Sequence, residues 1–102
     1  MASIVSEKVV EFDGDLNKAY ENKNKHGVSF DEAKTVFDDS LACIFDDEWS
    51  SIDEQRELII GYSVNHRLLI ISFVERQDII RIISAREATP RERKDYESHK
   101  CR

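Results

Sequence analysis

The chain has 102 residues, of which 40% are hydrophobic and 35% are charged, and its net charge is -6. This length supports one hydrophobic core but not two, so the sequence predicts a single domain over residues 1–102. The apolar runs are far shorter than the roughly 20 residues of a membrane helix, and the chain starts without an apolar leader. We therefore expect a soluble, cytoplasmic protein that does not bind membranes.

The charges are distributed unequally along the chain. Residues 1–55 contain five lysines and fourteen acidic residues, whereas residues 56–102 contain all eight arginines, two lysines and seven acidic residues. The guanidinium group is planar, permanently charged and matched in shape to phosphate. The negative net charge of the whole chain argues against a general nucleic-acid-binding protein, but the arginine-rich second half indicates a local phosphate site. The alternative for any single arginine is a solvated surface position.

The first half of the chain predicts a short strand at residues 8–12 and two helices. The first helix spans about residues 15–25, ends at Gly27, and has the apolar residues Leu16, Ala19 and Tyr20 at helical spacing. Ser29 and Glu32 form a capping box at the start of the second helix. The predicted buried stripe of this second helix comprises Phe30, Ala33, Val36 and Phe37.

The second half predicts strands at residues 41–45, 56–64, 67–75 and 79–84. Short turns join the last three strands, which favours antiparallel hairpins. Thr89, Pro90 and Glu92 then open a short C-terminal helix with few apolar residues. The predicted fold class is α+β, with N-terminal helices packed on a mainly antiparallel sheet of about four strands and a short C-terminal helix.

Several segments, in order along the chain, resemble the BrnT family of toxins. The first is the run Lys-His-Gly-Val-Ser-Phe-Asp-Glu-Ala at residues 25–33, which continues to Val36, Phe37, Asp38 and Asp39. Phe12, Asp15, Lys18 and Asn22 precede it at the family's spacing. The matching positions downstream are Glu54, Gln55, Arg56, Ile60, Gly61, Arg67, Leu68, Leu69, residues 81–86, Ala88, Thr89, Glu92, Arg93 and Tyr96. Two positions depart from the family's pattern: Gly14 replaces a usual Trp, and Trp49-Ser50-Ser51 occupies a loop that often contains His.

The resemblance implies a RelE-like fold and an endoribonuclease that cleaves RNA without a metal ion or other cofactor and so inhibits translation. It also implies neutralisation by a BrnA-like antitoxin with a ribbon-helix-helix module. Operator DNA would then be bound only through the antitoxin, within a higher-order toxin–antitoxin complex. The alternative is a non-catalytic, BrnT-like scaffold that pairs with its antitoxin and co-regulates their operon.

RNA is cleaved without metal when a base deprotonates the 2′-hydroxyl, an acid protonates the leaving oxygen, and cations stabilise the phosphate. The predicted catalytic residues are Arg56, Arg81, Arg86, His26, Lys25 and Glu54, and further RNA contacts are predicted for Lys18, Arg67 and Arg76. Strict alternation along a strand places Arg81 and Arg86 on opposite faces. They can share a site only if the strand bulges or ends between them.

The proton-transfer candidates each have a structural alternative. His26 is a candidate because an imidazole can both accept and donate a proton, but at a helix end it can instead cap backbone carbonyls. Glu54 and Glu75 lie near strand ends, where carboxylates are usually solvated. Trp49 could stack on a base or cover the edge of the core. The acidic loops contain neither His nor Cys, so no metal site is predicted.

Overall fold

The structure is a computed structural model that describes residues 11–46 and 56–99. Its elements are β1 (Glu11–Asp13), α1 (Leu16–His26), α2 (Phe30–Val36), β2 (Cys43–Asp46), β3 (Glu57–Tyr62), β4 (Leu68–Arg76), β5 (Ile79–Glu87) and α3 (Pro90–His99). The strands form one sheet in the order β1-β5-β4-β3-β2. β1 runs parallel to β5, and the other neighbours are antiparallel.

The predicted α+β class is confirmed, although the sheet has five strands rather than about four. Residues 8–10 of the predicted first strand lie outside the described residues. Both predicted hairpins are present. In the β4–β5 turn, Gln77 and Asp78 have positive φ angles of 51° and 67°, as a two-residue type I′ turn requires. In the β3–β4 turn, His66 has a φ of 63° and its backbone N–H donates to the carbonyl of Ser63.

The sheet has two faces, on which successive residues of a strand alternate. α1 and α2 pack on one of them, which we call the helix face, and enclose the main core. The core consists of the buried residues Val28, Phe30, Ala33, Val36, Ile59, Leu69, Ile71, Phe73, Ile80, Ile82 and Ala85. Phe37 completes the predicted stripe of α2 by packing edge-on against Phe12 and Phe73. We call the opposite side the open face.

α1 is held by a buried amide and by Ala19, but not by the other two apolar residues at helical spacing. Leu16 and Tyr20 are 86% and 71% exposed, whereas Asn22 is buried. The Asn22 Nδ2 donates to the carbonyls of Val28 and Ala85, at 2.9 and 2.8 Å, and its Oδ1 accepts from the Ala85 N–H at 3.0 Å. These bonds satisfy backbone groups at the edge of the core, which outweighs the burial of two apolar side chains elsewhere on the helix.

α2 begins as predicted, but Glu32 has a different partner. The Ser29 hydroxyl accepts from the Glu32 N–H at 3.0 Å, which caps the helix. The Glu32 carboxylate points to the β3–β4 turn, where it accepts from Arg67 Nε at 2.9 Å and from the Ser63 hydroxyl at 2.6 Å. A guanidinium is a stronger donor to a carboxylate than a backbone amide, so the ion pair replaces the second half of the capping box.

α3 has the full capping box that the sequence predicts. The Thr89 hydroxyl accepts from the Glu92 N–H at 3.1 Å, and Glu92 Oε1 accepts from the Thr89 N–H at 2.9 Å. α3 lies over one end of the open face, where Tyr62, Leu68, Ala88 and Tyr96 form a small second cluster. Within residues 11–46 and 56–99, none of the helices has the length and apolarity to span a membrane.

Gly61 lies where β3 passes closest to α2. A Cβ placed on it would be 2.8 Å from the Ala42 Cβ and 3.1 Å from the Val36 Cγ1. We expect Gly61→Ala to lower the free energy of unfolding by about 1–3 kcal/mol, because the core must move to accept the methyl group. Gly14→Ala is the matched control, since a Cβ there meets nothing within 4 Å. Equal urea midpoints for the two variants would contradict this packing argument.

Candidate functional site

A bulge in β5 brings two of the predicted arginines to the same face. Ser72 pairs with Ser84 and Phe73 with Ile82, so the register shifts by one residue and Ile83 is the extra residue. As a result Arg86 pairs with Ile70 and Arg81 pairs with Val74. Since Ile70 and Val74 are four residues apart on β4, both arginines belong to the open face. The bulge that the sequence required for a shared face is therefore present.

A third arginine belongs to the same part of the open face. Glu57 of β3 pairs with Phe73, and continuing this register by one residue places Arg56 opposite Val74. Val74 pairs on its other side with Arg81. A line across the sheet thus runs from Arg56 through the buried Val74 to the exposed Arg81. We call this line the arginine row. Arg76 follows on the same face two residues further along β4.

An apolar groove lies next to the arginine row on the open face. Its volume is about 460 Å³, and it is lined by Phe45, Leu58, Ile60, Ile70, Arg86, Glu92, Asp95 and Tyr96. Leu58 is two residues from Arg56, so the groove begins about 7 Å from the arginine row. The sheet supplies the apolar floor, while Glu92, Asp95 and Tyr96 come from α3. The open face therefore combines the arginine row with an adjoining apolar groove.

Arg86 joins the sheet to α3 at the edge of this groove. Its Nη1 and Nη2 donate to the two carboxylate oxygens of Glu92, at 2.8 and 2.9 Å. The hydrogen bonds from Arg86 lower the pKa of Glu92 to about 2, and Glu92 in turn raises the pKa of Arg86. α3 is also held by Tyr96, whose hydroxyl donates to the Leu41 carbonyl at 2.9 Å. Arg86 thus has a fixed structural partner in addition to its predicted role.

Arg67, predicted as an RNA contact, lies on the helix side of the sheet. Besides Glu32, its guanidinium donates to the Gly27 carbonyl at 3.2 Å and lies 3.8 Å from Glu87. These contacts tie the β3–β4 turn to α2 and to the end of α1. The structure thus places Arg67 in a structural ion pair, away from Arg56, Arg81 and Arg86.

The predicted proton-transfer residues of α1 lie far from the arginine row. Lys25 and His26 are exposed in the last turn of α1, next to Gly27, and Lys18 is exposed near its start. The contact of Arg67 with Gly27 places this helix end beside the beginning of β4. Val74 is seven residues further along that strand, roughly 23 Å away and on the opposite face. The structure therefore does not bring His26 and Lys25 together with Arg81.

Of the remaining candidates, Glu75 does not belong to the open face. Glu75 is exposed and alternates onto the helix face, since its partner Ile80 is a core residue. Glu54 and Trp49 lie outside the described residues. Among the residues that the structure does describe, no three His, Cys, Asp or Glu side chains are grouped to hold a metal ion.

Sequence reasoning missed three residues of the groove. The sequence predicts Phe45 to lie in a strand without a role, and it singles out Tyr96 only as a position that matches the family. Glu92 was recognised as a helix cap, yet its carboxylate also binds Arg86. The signal that could have identified the groove is the pair Leu58 and Ile60, which puts apolar residues on the side of β3 that the N-terminal helices do not cover.

Comparisons with known proteins agree with this architecture. The sequence profile of the family described as "Ribonuclease toxin, BrnT, of type II toxin-antitoxin system" matches residues 15–92. The crystal structure of the Brucella abortus ribonuclease toxin BrnT is similar, with a TM-score of 0.58 and 20% sequence identity over 78% of this chain and 95% of that chain. At this identity the likeness shows the fold alone. No curated protein sequence matches significantly. Because the profile matches more than half of its length, the chain belongs to the BrnT family of ribonuclease toxins of type II toxin–antitoxin systems.

Proposed function

We propose that this chain is an endoribonuclease that cleaves RNA on its open face without a metal ion or other cofactor, and thereby inhibits translation. Its family is described as ribonuclease toxins, which supports RNA as the substrate. The observation that carries the proposal for this chain is the β5 bulge, because it puts Arg81 and Arg86 on the face that also holds Arg56.

The arginine row has the chemistry of a phosphate site. Arg56 and Arg81 flank the buried Val74 from the two sides of β4. Neighbouring strands are about 4.8 Å apart, so the two backbones are separated by roughly 10 Å. Long arginine side chains from these positions can converge on one phosphate. Guanidinium groups held in place before the reaction stabilise the charge that develops on the phosphate oxygens.

The reaction we propose is an attack of the ribose 2′-hydroxyl oxygen on the adjacent phosphorus. The 2′-oxygen loses its proton as the new P–O bond forms, and the bond to the 5′-oxygen breaks as that oxygen gains a proton. The products are a 2′,3′-cyclic phosphate and a 5′-hydroxyl end. In this scheme Arg56 and Arg81 hold the phosphate and offset its growing negative charge.

Membership of a type II system implies an antitoxin partner. We propose that this partner is BrnA-like and carries a ribbon-helix-helix module, so that operator DNA is bound only through it. The acidic first half of the chain supports the absence of direct DNA binding, since residues 1–55 carry fourteen acidic residues against five lysines. The toxin–antitoxin pair would then assemble into a larger complex on the operator.

The direct test is an RNA cleavage assay with the purified chain. The chain is first separated from its antitoxin under denaturing conditions and is then refolded. We expect single-stranded RNA to be cut in the presence of EDTA, and the fragments to carry 5′-hydroxyl and cyclic phosphate ends. Cleavage that stops on chelation would overturn the metal-free mechanism. If refolded protein leaves RNA intact and its expression does not arrest growth, the chain is a non-catalytic, antitoxin-binding scaffold instead.

A further inference from the structure

The groove beside the arginine row has no role in the phosphate chemistry described above. Its floor is made by Leu58, Ile60 and Ile70, and aromatic rings stand at two of its edges, Phe45 on β2 and Tyr96 on α3. Phe45 is 44% exposed, so part of its ring is accessible from solvent. We infer that this groove holds an unpaired purine base of the RNA, next to the nucleotide whose phosphate lies on the arginine row.

The position of the groove is the first reason to assign it to a base. The arginine row and the groove share the open face, and Leu58 lies two residues, about 7 Å, from Arg56. That separation is within the reach of one nucleotide, whose base and phosphate are joined through a single ribose. A strand of RNA whose phosphate lies between Arg56 and Arg81 therefore places a neighbouring base over the groove. This inference rests on the proposed function, because it assumes that the arginine row binds RNA.

The composition of the groove is the second argument. Unpaired bases are bound in proteins by stacking on aromatic side chains, which Phe45 and Tyr96 provide. Arg86 and Glu92 at the rim supply a guanidinium group and a carboxylate beside the apolar surface. The edge of a purine presents both acceptors and donors to such groups. A two-ring base also has a larger area for stacking on these rings than a one-ring base, which favours a purine.

α3 gives the groove a defined wall. The two bonds between Arg86 and Glu92 and the bond from Tyr96 to the Leu41 carbonyl fix the helix at the groove. The rings of Tyr62 and Tyr96 meet edge to face, with centroids 6.2 Å apart, and set the plane of Tyr96. A stacking surface held in this way loses little entropy when a base binds.

The test compares the cleavage of RNAs that differ in one base, so it measures a preference among bases in addition to the rate of cleavage. A set of short single-stranded RNAs that differ at one position next to the cleaved bond separates purines from pyrimidines. We expect the wild-type chain to prefer the purine by about tenfold in kcat/KM, because a two-ring base stacks on an aromatic ring over a larger area than a one-ring base. Phe45→Ala should reduce this preference to less than threefold, and Phe45→Trp should keep it. Leu41→Ala is the matched control, because Leu41 is 75% exposed nearby but does not line the groove.

A binding measurement tests whether the groove holds a base without requiring that the RNA be cleaved. An RNA oligonucleotide with 2-aminopurine at the tested position, and with 2′-deoxyribose only at the nucleotide whose 2′-hydroxyl would attack, cannot be cleaved at that bond, and stacking quenches its fluorescence. We expect quenching with the wild-type chain and with Leu41→Ala, and loss of quenching with Phe45→Ala. Unchanged fluorescence with the wild type, or a purine preference that survives Phe45→Ala, would overturn the base site. Quenching without cleavage of the matching RNA would overturn the ribonuclease proposal alone.

Discussion

Glu32→Gln is expected to lower the free energy of unfolding by about 3 kcal/mol at pH 7. The carboxylate of Glu32 is buried and accepts from two nitrogens of Arg67 and from the Ser63 hydroxyl. Glutamine has the same size but no charge, so Arg67 loses the closer of its two carboxylate partners, and the more distant Glu87 remains. Because this pair ties α2 to the β3–β4 turn, the packing of the helix on the sheet is weakened.

The same ion pair determines a pH dependence. The hydrogen bonds from Arg67 lower the pKa of Glu32 from 4.5 to about 2. Because the folded-state pKa lies below the unfolded value, the stabilisation is fully present above about pH 5 and is lost as the pH falls from about 4.5 toward 2. A shift of this size corresponds to about 3 kcal/mol. The difference in stability between wild type and Glu32→Gln should therefore shrink across this window.

Urea unfolding followed by circular dichroism at pH 7 and at about pH 2.5 measures both effects. The matched control is Asp31→Asn, since Asp31 is the neighbouring acid of α2 and its side chain is 94% exposed in a surface pair with Lys34. We expect this control to change the stability by less than about 0.5 kcal/mol. A Glu32→Gln protein as stable as the control at pH 7 would show that the ion pair does not stabilise the fold.

The second large effect concerns cleavage. Arg81→Ala and Arg56→Ala should each lower kcat/KM for RNA cleavage by about 10²–10³-fold, because each removes a cation that stabilises the transition state of phosphoryl transfer. Both positions are on the surface of the open face and outside the core, so the variants should fold with wild-type circular dichroism spectra. Arg81→Lys keeps the charge but not the two-nitrogen contact, and should recover part of the lost rate.

Lys23→Ala is the control for removing one positive charge. Lys23 is exposed on α1, which packs on the opposite face of the sheet, so its loss should change kcat/KM by less than about twofold. The double variant of Arg56 and Arg81 should lose less than the product of the two single effects, since both act on one phosphate. Cleavage at the wild-type rate by folded Arg56→Ala and Arg81→Ala proteins would place the reaction elsewhere on the molecule.

Most of the fold could be predicted from local signals in the sequence. Ser29 and Thr89 mark helix starts, and the turns at residues 65–66 and 77–78 produce the two hairpins, because these features act within a few residues. The orientation of α1 could not be predicted in this way. It depends on Asn22 reaching the backbone of Ala85, 63 residues away, and hydrophobic spacing contains no information about that contact.

The candidate site shows the same division between local and distant causes. The arginines were identifiable because arginine suits phosphate, whichever strand carries it. Their grouping depends on the one extra residue at Ile83, which alternation alone does not reveal. The separation of Arg67 from the others also depends on a tertiary partner, since Glu32 is 35 residues away and was assigned to a helix cap. The side-chain chemistry of arginine was thus enough to choose the candidate residues. Which of those residues share a face depends on strand pairing, which the sequence does not reveal.

The parallel pairing of β1 with β5 has a consequence for how the protein forms during synthesis. β1 is among the first described residues, and β5, its neighbour among the described strands, is completed about 70 residues later. The arginine row likewise needs β3, β4 and β5 together. Such distant contacts form late and slowly, because the intervening chain must first be ordered. A growing chain therefore acquires the open face, with its arginine row, only after β5 has been synthesised, whereas the helix starts at Ser29 and at Asp15 depend on contacts within a few residues.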